Sequence, residues 1–226
     1  MSPDDDAPLL AIFDHDGVLV DSLDHHQRAW VELGRKVDLP ITEAFVRDSF
    51  GLTNASIFAR LLGRELDAET LARFTDAKEA GYRELARGQI ALLPGIRSLL
   101  DGLTAGGARL AIGSSGVLAN LLLTVESCGL DGRFASIASV EDVRVGKPDP
   151  EVFLVAARKA GVDPSRAVVF EDATFGIVAA KAAGMRAVGV TTTTTADALR
   201  QAGADEVVDT FEGYDVATLI ERLRRS

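Results

Sequence analysis

Two aspartates, two residues apart, are the first feature of this chain that could do chemistry. Asp14 and Asp16 follow the apolar run Leu9–Phe13 and precede Gly17. Residues two apart in an extended segment point the same way, so the pair presents two carboxyl groups to one space, with His15 turned away from both. Phosphoryl transfer uses such a pairing, in which one carboxylate attacks phosphorus while the other protonates the leaving group and later activates water. Asp16-Gly17 is also a hairpin-turn signal, but a turn does not account for Asp14. His25 and His26 are about 100° apart around a helix, so they do not form a metal pair.

Further polar residues follow other apolar runs. Ser114, Ser115 and Gly116 come after Arg109–Gly113, Lys147 stands in Gly146-Lys147-Pro148, and Glu171 and Asp172 come after Ala167–Phe170. Each has a plain use. Ser114 or Ser115 could cap the helix that follows, and so could Glu171-Asp172. Hydroxyls and free amides at a helix start also bind phosphate, so for the serines the two uses agree. Two adjacent acids exceed what a cap requires. Lys147 precedes the helix start expected at Asp149-Pro150, a poor place for a cation unless it neutralises a phosphate. Acids crowded at one rim repel each other unless a cation joins them. Magnesium prefers hard oxygen ligands, so a few carboxylates and a substrate phosphate would complete its shell.

The elements that must bring these residues together are short apolar strands. Leu9–Phe13, Arg109–Gly113, Phe134–Ser139, Ala167–Phe170, Ala187–Val190 and Glu206–Val208 read as strands. Amphipathic helices alternate with them over Leu118–Cys128, Glu151–Ala160, Phe175–Ala183 and Ala196–Ala202. Pro94 and Pro150 suit first helical positions, while Gly129, Gly161, Gly184 and Gly203 suit C-terminal caps. Strand and helix in alternation imply an α/β fold, a doubly wound parallel sheet of Rossmann-like type. Ligands of such sheets bind outside the carboxyl ends of the strands, where Asp14, Asp16, Ser114, Ser115, Lys147, Glu171 and Asp172 fall. Residues 21–88 contain no strand and read as helices at Ser22–Val37, Thr42–Ser49, Ala55–Leu62 and Ala68–Arg87. Pro94–Thr104 then returns the chain to the sheet. The expectation is a catalytic core of residues 1–20 and 89–226 with an inserted all-helical cap of residues 21–88.

Composition narrows the partners. The net charge of −10 over 226 residues repels nucleic acid and anionic lipid, so neither is expected. Cys128 is the only cysteine, which excludes an internal disulfide and thiolate zinc. The acidic MSPDDDAPLL start is unlike a secretory signal, and no apolar run has membrane-spanning length. A cytoplasmic protein is expected, monomeric by default, that acts on a small anionic metabolite.

Four segments in order resemble the motifs of the haloacid dehalogenase superfamily. They are Phe13-Asp14-His15-Asp16-Gly17-Val18-Leu19-Val20-Asp21-Ser22, Ile112-Gly113-Ser114-Ser115, Gly146-Lys147-Pro148-Asp149-Pro150, and Phe170-Glu171-Asp172-Ala173-Thr174-Phe175-Gly176-Ile177 with Ala182-Ala183-Gly184-Met185. The helical insert looks like the cap of the β-phosphoglucomutase-like subgroup. The resemblance implies that Asp14 forms an aspartyl-phosphate, Asp16 is the acid/base, and Ser114 and Lys147 hold the transferring phosphate. It also implies magnesium bound by Asp14, the Asp16 carbonyl and Asp172, supported by Glu171. Substrate contacts are expected at Gly17, His26, Gly51, Thr53, Asn54, Ser115 and Gly116. The presence of Asp16 indicates phosphate-ester chemistry and not dehalogenation. Mutases of this subgroup carry an arginine where this chain has Asn54. Bidentate arginine suits the grip on a second phosphate, so the exchange favours a phosphatase acting on a monophosphate. A sugar-phosphate mutase is the rival, and a non-enzymatic phospho-acceptor signalling domain, which lacks the second acid and the insert, is a remote one.

Overall fold

The computed structural model describes residues 7–225 and shows a six-stranded, all-parallel sheet. The strands are β1 (Leu9–Phe13), β2 (Ala108–Gly113), β3 (Ser136–Ala138), β4 (Ala167–Glu171), β5 (Arg186–Val190) and β6 (Glu206–Val208), in the order β3-β2-β1-β4-β5-β6. β1 is central because it is apolar at every position and buried on both faces. Leu9, Ala11 and Phe13 face one core, while Leu10 and Ile12 face the other. The first core is closed by α5 (Ile96–Ala105), α6 (Leu118–Ser127) and α10 (Val216–Arg224), and the second by α7 (Glu151–Ala160), α8 (Thr174–Ala182) and α9 (Ala196–Gln201). The chain leaves β1 toward β2 on one side and later returns to its other side as β4. The order therefore reverses beside β1, where such sheets open a crevice.

β3 is shorter than the expected Phe134–Ser139, although Ala135 N still donates to Leu110 O at 2.8 Å. Neither proline occupies a first helical position. Pro150 takes the N-cap place of α7, and Pro94 lies before Gly95, whose φ of 83° begins α5. The four glycines do follow their helices with left-handed φ between 62° and 104°.

Between β1 and β2 stand α1 (Leu23–Val37), α2 (Glu43–Arg47), α3 (Asn54–Leu62) and α4 (Ala68–Ala86). They have a core of their own, in which Trp30, Leu33, Ile41, Val46, Ile57 and Phe58 pack together away from the sheet. Phe58 is fully buried there, a burial worth on the order of 2–3 kcal/mol. The segments that enter and leave these helices run side by side. Val20 bridges Leu92, and Leu93 N donates to Leu19 O at 2.9 Å. α2 is shorter than Thr42–Ser49 at both ends, where Thr42 caps it, accepting from Phe45 N at 3.2 Å, and Asp48 follows as the C-cap. Among the described residues no helix is long and apolar enough to cross a membrane.

Candidate active site

Asp14 leaves the end of β1 with its backbone still in the sheet, N to Phe170 O at 3.0 Å, and its side chain buried. Lys147 reaches it from the loop before α7. Lys147 Nζ is 2.9 Å from Asp14 Oδ1 and 2.6 Å from Glu171 Oε1, above the Phe153 ring. Burial works against the lysine's charge, but the two carboxylates outweigh it and hold the ammonium above its ordinary range. The position before a helix start thus carries a cation because two buried acids neutralise it.

Glu171 closes the other side. Its Oε2 accepts from Asp172 N and Ala173 N, both at 2.8 Å, so the carboxylate also satisfies the free amides before α8. Asp172 Oδ2 accepts the Thr193 hydroxyl, while Asp172 Oδ1 is buried without a partner. Asp14, Glu171 and Asp172 each bring an oxygen within 4.8 Å of the others. Burial, together with Glu171 and Asp16, pushes the Asp14 carboxyl up to about 6 despite Lys147, and burial with Glu171 and Asp14 drives Asp172 well above the usual carboxylate range. One lysine does not balance three acids. An orphaned buried carboxylate oxygen beside two further acids fits a small, hard divalent cation.

Asp16 lines the same cavity as Asp14. Its Oδ1 accepts from Ser22 Oγ at 2.5 Å and stands 3.2 Å from His26 Nε2 and 2.9 Å from His15 Nδ1. The expectation that His15 turns away is therefore wrong. The chain leaves strand geometry after Phe13, and His15 is fully buried between Asp16 and Thr124 Oγ1, the latter at 2.7 Å. Burial favours a neutral Asp16, but His15 and His26 outweigh it and hold the carboxyl well below its usual range. Burial also opposes charge on His15, yet Asp16 leaves that imidazole above its ordinary range.

His26 is the only one of the two adjacent histidines at the site. Lys78 Nζ lies 2.7 Å from its Nδ1. An ammonium only donates, so Nδ1 accepts and the ring proton rests on Nε2, toward Asp16. Burial and Lys78 lower its pKa, and Tyr82 stacks on the ring at 4.0 Å.

Asp14, Asp16, His26, Gly51, Asn54, Ser114, Ser115 and Gly116 line one cavity between the sheet edge and the helices. Ser115 Oγ is buried and unpartnered there, while Ser114 Oγ accepts from Gly116 N at 3.1 Å. Neither serine caps α6, because Glu141 reaches from the β3 loop and accepts from Leu118 N. Gly17 and Thr53 do not line the cavity. A Cβ at Gly17 would overlap the Asp172 carboxylate, and its φ is 78°. The Thr53 hydroxyl caps α3 through Ser56 N at 3.2 Å. Ser22, Lys78, Glu79, Asn120 and Thr193 were not foreseen. Ser22 alone carried a signal: it starts α1 without capping it, since its hydroxyl goes to Asp16.

The family model described as haloacid dehalogenase-like hydrolase matches residues 11–190. The chain is 32% identical over 201 residues to validoxylamine A 7'-phosphate phosphatase of Streptomyces hygroscopicus subsp. limoneus, covering 85% of this chain and 90% of that protein. It is 34% identical over 187 residues to fructose-1-phosphate phosphatase YqaB of Escherichia coli, covering 79% and 94%. The crystal structure of β-phosphoglucomutase from Clostridium difficile superposes with a TM-score of 0.85 at 28% identity, covering 96% and 98%.

Proposed function

The chain belongs to the haloacid dehalogenase-like hydrolases, and from that premise we propose that it is a magnesium-dependent phosphatase of small phosphorylated metabolites, sugar phosphates in particular. The observation that carries this reading is the opening of Asp14 and Asp16 onto one cavity, with Lys147 and the acid cluster gathered around Asp14. Its relatives include two phosphatases whose names specify phosphorylated sugar-like substrates.

In this mechanism Asp14 attacks phosphorus, and the bond from phosphorus to the ester oxygen breaks as an aspartyl-phosphate forms. Lys147, Ser114 and Ser115 hold the transferring oxygens. The leaving oxygen takes a proton from the Asp16 carboxyl, which His15 and His26 flank at 2.9 Å and 3.2 Å. Water then attacks phosphorus, Asp16 accepts its proton, and the bond to Asp14 breaks to release phosphate. Asp14 and Asp172, with the Asp16 carbonyl and with Glu171 behind them, would hold magnesium, which would supply positive charge to the phosphate oxygens. Residues 21–88 act as a cap that closes over residues 1–20 and 89–226. The side-by-side crossing at Val20 and Leu92 and the separate helical core support that division.

The test is a screen of phosphorylated metabolites for phosphate release with magnesium and with excess chelator. Sugar monophosphates should give the highest kcat/KM, and chelation should abolish turnover. Chelator-indifferent release, or no release from any ester, contradicts the reading. A parallel assay supplies β-glucose 1-phosphate with a catalytic amount of the 1,6-bisphosphate. Isomer accumulating much faster than free phosphate would replace the phosphatase by a mutase.

A further inference from the structure

Beyond Asp14 and Asp16, the far end of the cavity must receive the part of the ester that leaves. α1, α3 and α4 build that end, and two nearly fully buried charges line it, Lys78 and Glu79. They pair with each other at 2.9 Å. Glu79 Oε1 also accepts from Asn54 Nδ2 at 2.8 Å, and Glu79 Oε2 accepts from Asn120 Nδ2 at 2.7 Å. Burial disfavours charge on Glu79, but Lys78 and His26 outweigh it and hold the carboxyl below its ordinary range. His26 accepts from Lys78 and is neutral, so this end of the cavity has no net charge.

The pairing also settles how Asn54 stands. A carboxylate only accepts, so the amide nitrogen must face Glu79 and Asn54 Oδ1 is left as an acceptor. A second phosphate or a carboxylate brought here would lose its hydration and find the local cation already engaged by Glu79. A hydroxyl would find an amide oxygen to donate to.

We propose that Glu79 is a specificity-determining residue: by neutralising Lys78 and turning Asn54, it makes the cavity take phosphomonoesters of uncharged sugars and polyols and reject esters that carry a second anionic group. The proposal rests on the reading of this site as one that binds phosphate esters. A plainer role for Glu79 is a tie between α4 and α6 through Asn120. That role would change the binding of all ligands alike, whereas charge selection changes their ratio.

The experiment measures Kd for fructose 1-phosphate and fructose 1,6-bisphosphate with the Asp14→Asn protein in magnesium. Binding to an unreactive variant is readable whether the wild type hydrolyses or isomerises, so failure of the phosphatase reading appears separately in the turnover assays. The monophosphate should bind more tightly. Glu79→Gln on this background frees the Lys78 charge and should shift the ratio toward the bisphosphate by at least about tenfold. Adding Lys78→Met removes that charge and should return the ratio toward its starting value. Asn54→Arg, which introduces a cation beside Glu79, should move the ratio in the same direction as Glu79→Gln and serves if Glu79→Gln does not fold. A ratio that moves less than about twofold while both affinities change together overturns the proposal. So does tighter binding of the bisphosphate before any change at Glu79.

Discussion

Glu171 and Gly176 are packed so closely that a Cβ on Gly176 would overlap the Glu171 carboxylate. The first turn of α8 therefore has a glycine, a residue that inside a helix costs up to about 1 kcal/mol relative to alanine. What it permits is a carboxylate that holds Lys147 and two backbone amides at once.

Gly176→Ala should displace Glu171 while leaving the sheet intact. Loss of an outer partner of a metal site typically lowers metal affinity by about 10–100-fold, and that is the expected change in the magnesium dependence of turnover. Titration of activity against magnesium checks it, with circular dichroism to verify the fold. An unchanged midpoint would show that Glu171 does not support the metal.

Asp14 links metal binding to pH. Burial raises its carboxyl to about 6, so in metal-free protein its favourable protonated state is fully present below the ordinary value of 3.8 and is lost as pH rises through 6. Magnesium requires the ionised form. Its apparent affinity should fall by about tenfold or more per pH unit below 6, since Asp172, also raised by burial, must ionise as well. Thermal unfolding with and without magnesium, at about pH 5 and about pH 7.5, reads this difference. An equal rise in Tm at both values would contradict it.

Asp16 and Ser22 should separate leaving groups. Asp16→Asn should slow alkyl ester turnover by about 10²–10⁴-fold. The loss should be smaller for an aryl phosphate, whose leaving oxygen needs little protonation. Ser22→Ala removes the hydrogen bond to Asp16 Oδ1 and should show the same bias more weakly. Equal losses for aryl and alkyl esters would argue against an acid role.

The strands, the order of the helices and the residues following β1, β2 and β4 were legible because buried parallel strands are continuous apolar runs and ligands gather at their ends. Asp14, Lys147, Glu171 and Asp172 meet as their positions implied. His15 was misread because two-residue alternation holds only while the backbone remains extended. The capping use open to Ser114 and Ser115 is not taken up, because a helix start can be served from a distant loop, here by Glu141. Lys78 and Glu79 left no local trace. In the run Asp76-Ala77-Lys78-Glu79-Ala80 they look like ordinary exposed helix charges, and only the packing of α4 against α1 and α6 buries them.

If phosphate passes through Asp14, then Asp14→Asn and wild type must differ in turnover and in what they carry. Both proteins are given the best monophosphate from the screen in saturating magnesium, and phosphate release is followed. An amide is a poor nucleophile, so the variant, folded and still binding the ester, should turn over several orders of magnitude more slowly. Acid-quenched wild type should carry one phosphoryl group on the peptide containing Asp14, and the variant none. Full phosphate release by Asp14→Asn would contradict the account.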